Sequence, residues 1–238
     1  MDLASEPARA ARFPRTLRTP ALVLCLAGLA AFGLVTREML EGDTRRVDTA
    51  ILVWFRTAGS LAVPRGPVWL TQTAVDLSAL GGFTVLWILS LAAIGFLVLE
   101  RRRGDAVLLA ASIGGASLVE SGVKVLVGRD RPEVVPHLVQ VSTASYPSGH
   151  AMLSAAAYLT LAVLLARTHP RPAVRLYLAI LAGALVLLIG TSRCYLGVHW
   201  PSDVLGGWCL GSAWALGIWM IAQRLGDDRS GDARLRRR

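Results

Sequence analysis

Long apolar runs separated by short charged segments constrain the fold of this chain more than any other feature. Residues 77–99 carry no charge, and five further runs are largely apolar. A helix of about 20 apolar residues is long enough to cross a bilayer. The pattern predicts an all-α fold, a six-span transmembrane helix bundle, with spans at residues 19–36, 77–99, 106–127, 151–166, 176–191 and 204–222.

The first run, residues 19–36, follows a basic segment and so resembles the core of a signal peptide. It is long enough to span, however, and no small-residue cleavage site follows it in a polar region. We therefore expect a retained span. No polar linker interrupts the later runs, so the interpretation is one membrane domain at residues 19–225, between basic tails at 1–18 and 226–238.

The positions of the basic residues indicate the orientation of the chain in the membrane. The chain has 25 Lys and Arg residues and a net charge of +9, and most of the basic residues fall in the termini or in loops that six spans place on the same side as the termini. Basic loops stay in the cytoplasm, so both termini are predicted to lie on the cytoplasmic side of the cell membrane. Segments 128–149 and 191–203 are predicted to lie on the outer side. A nucleic-acid binder would gather its charge on a binding face, so no nucleic-acid partner is expected.

Residues 43–59 have the pattern of an amphipathic helix after the first span. An apolar stripe with flanking arginines is typical of an interfacial helix lying on the membrane. An ordinary connector packed on the bundle would show the same pattern, and both readings stay open. The stripe consists of Val47, Ile51, Trp54 and Phe55. The arginines expected to contact lipid head groups are Arg45, Arg46 and Arg56.

Three polar clusters lie at the same predicted face of the bundle. They are KVLVGRDRP at residues 124–132, PSGH at 147–150 and SRCYLGVHWPSD at 192–203. Lys124, Arg131 and Arg193 are three long cations that match the oxygens of a phosphate. Ser148, Gly149 and His150 begin the fourth span, so backbone N–H groups and the positive end of a helix face the same anion. The clusters together predict a phosphate-binding site.

His199 and Asp203 are four residues apart across Pro201, which suits the first turn of the last helix. A carboxylate on one ring nitrogen fixes the tautomer and leaves the other nitrogen free to attack. His150, on another helix, can then protonate the leaving oxygen as a general acid. A metal site made of the two histidines and Asp203 is the rival reading, and the three surrounding cations disfavour it.

These clusters resemble the three-part signature of the type 2 phosphatidic acid phosphatase superfamily of membrane lipid phosphatases. The resemblance covers residues 124–203, and the six-span layout extends it over most of the chain. It implies a phosphohistidine mechanism without metal or other cofactor, in which His199 is the nucleophile, Asp203 orients it and His150 is the acid. It also implies a set of phosphate-binding residues: Lys124, Arg131, Ser148, Gly149, Ser192 and Arg193.

Resemblance to the small bacterial lipid-phosphatase branch favours undecaprenyl diphosphate as substrate. Phosphatidic acid, phosphatidylglycerol phosphate and lipid A 1-phosphate stay open, as do a lipid phosphotransferase and a non-catalytic phosphate-lipid transporter or scaffold. Glu120, one turn before Lys124, either pairs with that lysine in helix packing or contacts the substrate. The three cysteines show no paired spacing, so neither disulfides nor zinc are expected. The oligomeric state is open.

Overall fold

The computed structural model describes residues 18–235, without the side chains of 222 and 224–235. Helices make up most of this part of the chain. The elements are α1 (Arg18–Glu41), α2 (Arg45–Trp54), β1 (Arg56–Thr57), β2 (Ser60–Pro64), α3 (Val68–Leu80), α4 (Phe83–Leu99), α5 (Arg103–Val127), α6 (Gly149–Ala166), α7 (Pro172–Tyr195) and α8 (Pro201–Leu235).

The predicted all-α membrane bundle is confirmed. Within the described residues, five helices are long and apolar enough to cross a membrane: α1, α5, α6, α7 and the Pro201–Ile221 part of α8. The pair α3 and α4 forms a sixth candidate span. The cytoplasmic placement of the termini stays a prediction.

The second span differs from the single helix predicted at residues 77–99. Helices α3 and α4 meet at an angle of 47° across Gly81 and Gly82, and α3 begins as early as Val68. A Cβ at Gly81 would overlap Ile189 of α7 and come within 3.3 Å of the His150 carbonyl. The glycine therefore lets the joint press against the start of α6. Hydropathy alone does not show this bend, because both halves are apolar.

Helix α2 is shorter than the predicted helix at 43–59, because a two-stranded hairpin follows Trp54. Val47 and Trp54 are about 60 % exposed, whereas Asp48 and Leu52 are buried against the bundle. Arg56 does not reach head groups as predicted: it is 1 % exposed and donates to the Tyr195 carbonyl at 2.9 Å. The placement of α2 on a membrane surface stays a prediction.

Helices α6 and α8 pack closely through small residues, as expected for membrane helices that associate by van der Waals contact. A Cβ at Gly207 would lie 2.8 Å from the Ser148 carbonyl, and one at Gly211 would overlap the Met152 carbonyl. Ala155 and Ala156 of α6 are fully buried. This packing holds the first turns of α6 and α8 side by side, where the polar clusters meet.

Candidate active site

The turn between α7 and α8 places Arg193 and His199 on one cavity. Helix α7 ends at Tyr195, and Gly197 follows with φ +74°, a left-handed conformation that favours glycine. Pro201 then starts α8 at a position where its missing N–H costs no hydrogen bond. The chain thereby reverses within six residues and leaves the buried His199 ring at the first turn of α8.

His199 and Asp203 are paired as the sequence predicts. The His199 Nδ1 atom lies 3.3 Å from Asp203 Oδ2, and both side chains are essentially fully buried. The same carboxylate oxygen accepts hydrogen bonds from the Trp200 backbone N–H at 2.9 Å and from the Ser145 hydroxyl. Asp203 Oδ1 accepts from Arg129 Nη1 at 2.6 Å. These donors hold the carboxylate in its ionised form and in one orientation.

The contacts of His199 define its tautomer. Arg131 Nη1 lies 3.2 Å from His199 Nε2, and a guanidinium can only donate. The lone pair is therefore on Nε2, and the Nδ1–H donates to Asp203. Arg131 and His199 both line the cavity, so the unprotonated Nε2 lies beside one of the cavity's cations.

Burial lowers the pKa of His199 to about 4. The Asp203 hydrogen bond and charge raise this pKa, while the charges of Arg131 and Arg193 lower it further. The ring is thus neutral at neutral pH, as a nitrogen nucleophile requires. Burial also lowers the pKa of Arg131, and the charges of Asp203 and Glu120 oppose that shift.

Three cations line a cavity of about 870 Å³ together with His150 and His199. Lys124, Arg131 and Arg193 are each held by a hydroxyl or carbonyl that sequence reasoning missed. Thr143 accepts from Lys124 Nζ at 3.2 Å through its hydroxyl and from Arg131 Nε at 2.8 Å through its carbonyl. Ser78 accepts from Arg193 Nη1 at 2.7 Å. The predicted convergence of the three cations is therefore present in the fold.

The PSGH cluster contributes only partly as expected. Gly149 and His150 line the cavity. The N–H groups in the first turn of a helix have no acceptor within that helix, so those of α6 are available to an anion. The Ser148 N–H instead donates to the Asp203 carbonyl at 3.0 Å, and within the described chain its buried hydroxyl has no hydrogen-bond partner. The Ser192 hydroxyl donates to the Ile189 carbonyl at 2.7 Å. Neither serine is among the cavity-lining residues, so their phosphate contacts stay predictions.

A buried charge network behind Asp203 was not foreseen. Arg129 bridges Asp203 to Asp48 of α2, with Arg129 Nη2 3.1 Å from Asp48 Oδ2. Asp48 also accepts from the Ser202 hydroxyl at 2.6 Å and from the Ser202 N–H at 2.9 Å, at the start of α8. Two features of the sequence could have indicated this network: Arg129 within the GRDRP segment, and Asp48 on the inward face of α2.

Glu120 lies in the cavity beside the cations. Its Oε1 atom is 2.9 Å from Lys124 Nζ, and both side chains are less than 15 % exposed. The two residues are one helical turn apart on α5, which confirms their predicted common face. The pair also lies on the cavity wall, so its role in substrate contact stays open beside its role in helix packing.

The metal reading finds no support in the geometry. Among the side chains that the structure describes, no group of three His, Cys, Asp or Glu residues is placed to hold a metal ion. Cys25, Cys194 and Cys209 are free thiols. The Asp203 oxygens are already engaged by Arg129, Ser145 and Trp200, so a cation would have to displace them.

Comparison with known proteins identifies the family of this chain. The PAP2 superfamily model matches residues 105–227. Phosphatidylglycerophosphatase B of Bacillus subtilis (strain 168) is 34% identical over 144 residues, which is 60% of this chain and 70% of the relative. Decaprenylphosphoryl-5-phosphoribose phosphatase of Mycobacterium tuberculosis (strain ATCC 25618 / H37Rv) is 35% identical over 146 residues, or 60% of this chain and 75% of the relative.

Two further matches differ in extent. An undecaprenyl-diphosphatase of Sulfolobus acidocaldarius is 43% identical over 68 residues, only 29% of each chain. The crystal structure of a transmembrane PAP2 type phosphatidylglycerolphosphate phosphatase from Bacillus subtilis superposes with a TM-score of 0.77 at 26% identity, covering 84% of this chain and 96% of that one. This chain therefore belongs to the PAP2 superfamily and is a metal-independent membrane lipid phosphatase.

Proposed function

We propose that this phosphatase releases the terminal phosphate of a membrane lipid through a phosphohistidine on His199. The observation that carries the proposal is the orientation of that ring. Its Nδ1–H faces the buried Asp203, while its Nε2 faces a cavity that three cations line. A site that only binds phosphate needs the cations but not an oriented imidazole, which disfavours a transporter or scaffold.

In the first half-reaction, Lys124, Arg131 and Arg193 hold the phosphate oxygens, with the first amides of α6 beside them. His199 Nε2 attacks phosphorus, forming an N–P bond as the bond from phosphorus to the lipid oxygen breaks. Protonated His150 donates its proton to that oxygen. Arg131 must move its hydrogen bond from Nε2 to a phosphate oxygen, which stabilises the charge of the transition state.

In the second half-reaction, a water attacks the phosphohistidine. The now neutral His150 accepts one proton of the water, the N–P bond breaks and inorganic phosphate leaves. His199 regains its neutral form with the proton still on Nδ1, and His150 is protonated for the next cycle. A lipid phosphotransferase would share the first half-reaction and use another acceptor in the second, so product analysis separates the two functions.

The cavity walls support a lipid substrate. Val75 and Ala79 of α3, Phe83 of α4, Val125 of α5 and Leu153 of α6 add apolar surface beside the cations. Phe83 is 62% and Val125 85% exposed, so the apolar wall continues to the outer surface of the bundle. A lipid tail can leave the cavity there while its phosphate stays with the cations. The distribution of basic residues supports a site that opens at the outer leaflet of the cell membrane.

Undecaprenyl diphosphate, which the resemblance favoured at the sequence level, stays one candidate substrate. The short match to an undecaprenyl-diphosphatase supports it. Phosphatidylglycerol phosphate is a second candidate, because the phosphatidylglycerophosphatase matches over more of the chain and a PAP2 phosphatidylglycerolphosphate phosphatase shares the fold.

The test combines product release with a trap of the intermediate. The purified protein in detergent micelles is given each lipid phosphate, and phosphate release is measured without metal and with EDTA. Substrate labelled with ³²P on its terminal phosphate should transfer label to the protein in an acid-labile, alkali-stable form. His199→Ala should abolish both signals, a loss of at least about 10³-fold in kcat. Turnover by His199→Ala near the wild-type rate would disprove the mechanism.

A further inference from the structure

Glu120 is a carboxylate in a cavity built for an anion. Its Oε1 pairs with Lys124 Nζ at 2.9 Å, and both residues line the cavity with Arg131, His150 and Arg193. A negative charge here weakens phosphate binding unless it serves another purpose, because like charges repel strongly at short range in a partly buried site. Buried ionisable groups inside membrane segments are costly and are by default functional.

The carboxylate also lies against the first turn of α6. A Cβ at Gly149 would lie 2.5 Å from Glu120 Oε1. Glu120 is thus at the side of the phosphate site next to His150, the residue proposed to protonate the leaving oxygen. A group of the substrate that flanks the leaving oxygen would then lie within reach of Glu120.

Two physical consequences follow for the substrate. Three cations against one carboxylate leave two positive charges in the cavity, which matches the dianion of a phosphate monoester. A diphosphate brings additional charge on the inner phosphate, directly behind the leaving oxygen. In contrast, the phosphodiester of phosphatidylglycerol phosphate is separated from that oxygen by the glycerol.

The second consequence concerns hydrogen bonds. An ionised carboxylate only accepts. Glu120 Oε2 has one long contact, at 3.4 Å with the Ser121 hydroxyl. A hydroxyl on the leaving alcohol could donate to this carboxylate, whereas neither an inner phosphate nor a diacylglycerol supplies a donor. A site that hydrogen-bonds a substrate hydroxyl rejects analogues without it.

We propose that Glu120 selects phosphate monoesters whose leaving alcohol carries a free hydroxyl, a glycerol or a sugar, against lipid diphosphates. This inference rests on the proposed function and narrows its substrate class. Relatives named for phosphatidylglycerol phosphate and for a phosphoribose lipid match over 60% of this chain each, and both names imply hydroxyl-bearing alcohols.

The experiment compares kcat/KM for four substrates in the same detergent. Phosphatidylglycerol phosphate and decaprenylphosphoryl-5-phosphoribose carry glycerol and sugar hydroxyls, phosphatidic acid is a monoester without one, and undecaprenyl diphosphate carries the additional charge. Glu120→Gln removes the charge and keeps an acceptor, and Glu120→Ala removes both. The matched control is Glu41→Gln, which neutralises the exposed i,i+4 pair of Arg37 and Glu41 at 2.8 Å on α1.

The wild type should prefer at least one hydroxyl-bearing substrate over both others, and the one preferred identifies glycerol or sugar. Glu120→Gln should raise the relative kcat/KM for undecaprenyl diphosphate about tenfold, because the repulsive charge is gone. Glu120→Ala should also lose the preference over phosphatidic acid, by about tenfold, because the acceptor is gone. Glu41→Gln should leave all ratios unchanged.

Equal changes for all four substrates, or a wild-type preference for the diphosphate, would overturn the role of Glu120 while leaving the phosphatase intact. Failure of the proposed function gives a different result. In that case the wild type releases no phosphate from any of the four lipids and forms no ³²P-labelled His199, and the inference falls with it.

Discussion

Two clusters of arginine and carboxylate side chains lie at opposite ends of α5, and one of them contacts a histidine of the candidate active site. At the start of α5, Asp105 accepts from Arg102 at 2.7 Å and from Arg167 at 3.4 Å, which ties α5 to the end of α6. At the other end, Asp203 and Asp48 share Arg129.

The two clusters use the same kinds of residue but differ in what the carboxylate contacts besides the arginines. In the Asp105 cluster the carboxylate pairs with two arginines whose side chains are 13–24% exposed, so water partly solvates these ion pairs. In the Asp203 cluster Arg129 is 12% exposed, but the side chains of Asp48 and Asp203 are 3% and 0% exposed, against 17% for Asp105. The Asp203 carboxylate also contacts the His199 ring at 3.3 Å. An ion pair can therefore serve a reactive site when its buried carboxylate also holds a reactive side chain in one orientation. In the Asp105 cluster it joins helix ends.

Among the variants that test this comparison, Asp203→Asn should lower kcat the most. An amide can donate to His199 Nδ1 and so move the ring proton to Nε2, which removes the attacking lone pair. We expect kcat to fall by about 10³-fold or more. Phosphate release and the ³²P trap measure this, and an unchanged elution volume on size exclusion verifies folding. A variant within about tenfold of the wild type would show that the carboxylate does not set the tautomer.

Asp48→Asn should have an intermediate effect, because Asp48 touches neither His199 nor the cavity. It is a positioning residue that holds Arg129 and the start of α8. A loosened Arg129 lets Asp203 shift, and a small displacement of a catalytic group costs about 10- to 100-fold in kcat. KM should change by less than about twofold, because the phosphate-binding cations are untouched.

The control for that variant is Asp48→Glu, which restores the charge at a longer reach and should recover part of kcat. A loss of stability alone would lower the amount of folded enzyme without this rescue pattern. Equal loss of kcat in both variants, with a lowered thermal midpoint, would assign Asp48 to folding only.

Asp105→Asn should have the smallest effect on activity. It weakens two partly exposed pairs far from His199, so kcat and KM should stay within about twofold of the wild type. The variant should instead lose about 1–2 kcal/mol of stability, since Arg102 and Arg167 lose a charged acceptor in a partly buried place. Thermal unfolding in detergent measures the loss. A large fall in kcat would contradict the division between the two clusters.

Much of the fold followed from the sequence because apolar run length and local spacing are properties of neighbouring residues. The helical spans and the pairing of His199 with Asp203 and of Glu120 with Lys124 were predictable, since residues four apart in a helix share a face. The meeting of the three polar clusters also followed, because alternate loops of a spanning bundle share a side. The bend at Gly81 was not visible in the sequence, because both helices beside it are apolar and the residues close to Gly81 lie far away in the chain, on α6 and α7.

Only the tertiary structure placed Asp48 and Arg129 behind Asp203, since their contacts join residues 81 and 74 positions apart. Packing likewise engaged the Ser192 hydroxyl with the Ile189 carbonyl, buried the Ser148 hydroxyl outside the cavity lining, and brought Thr143 and Ser78 to the cations. Composition and periodicity determine which segments cross the membrane and which residues share a helix face. The partners of a buried charge depend on how the helices pack together, and for this protein that packing decided how His199 and its cavity are held.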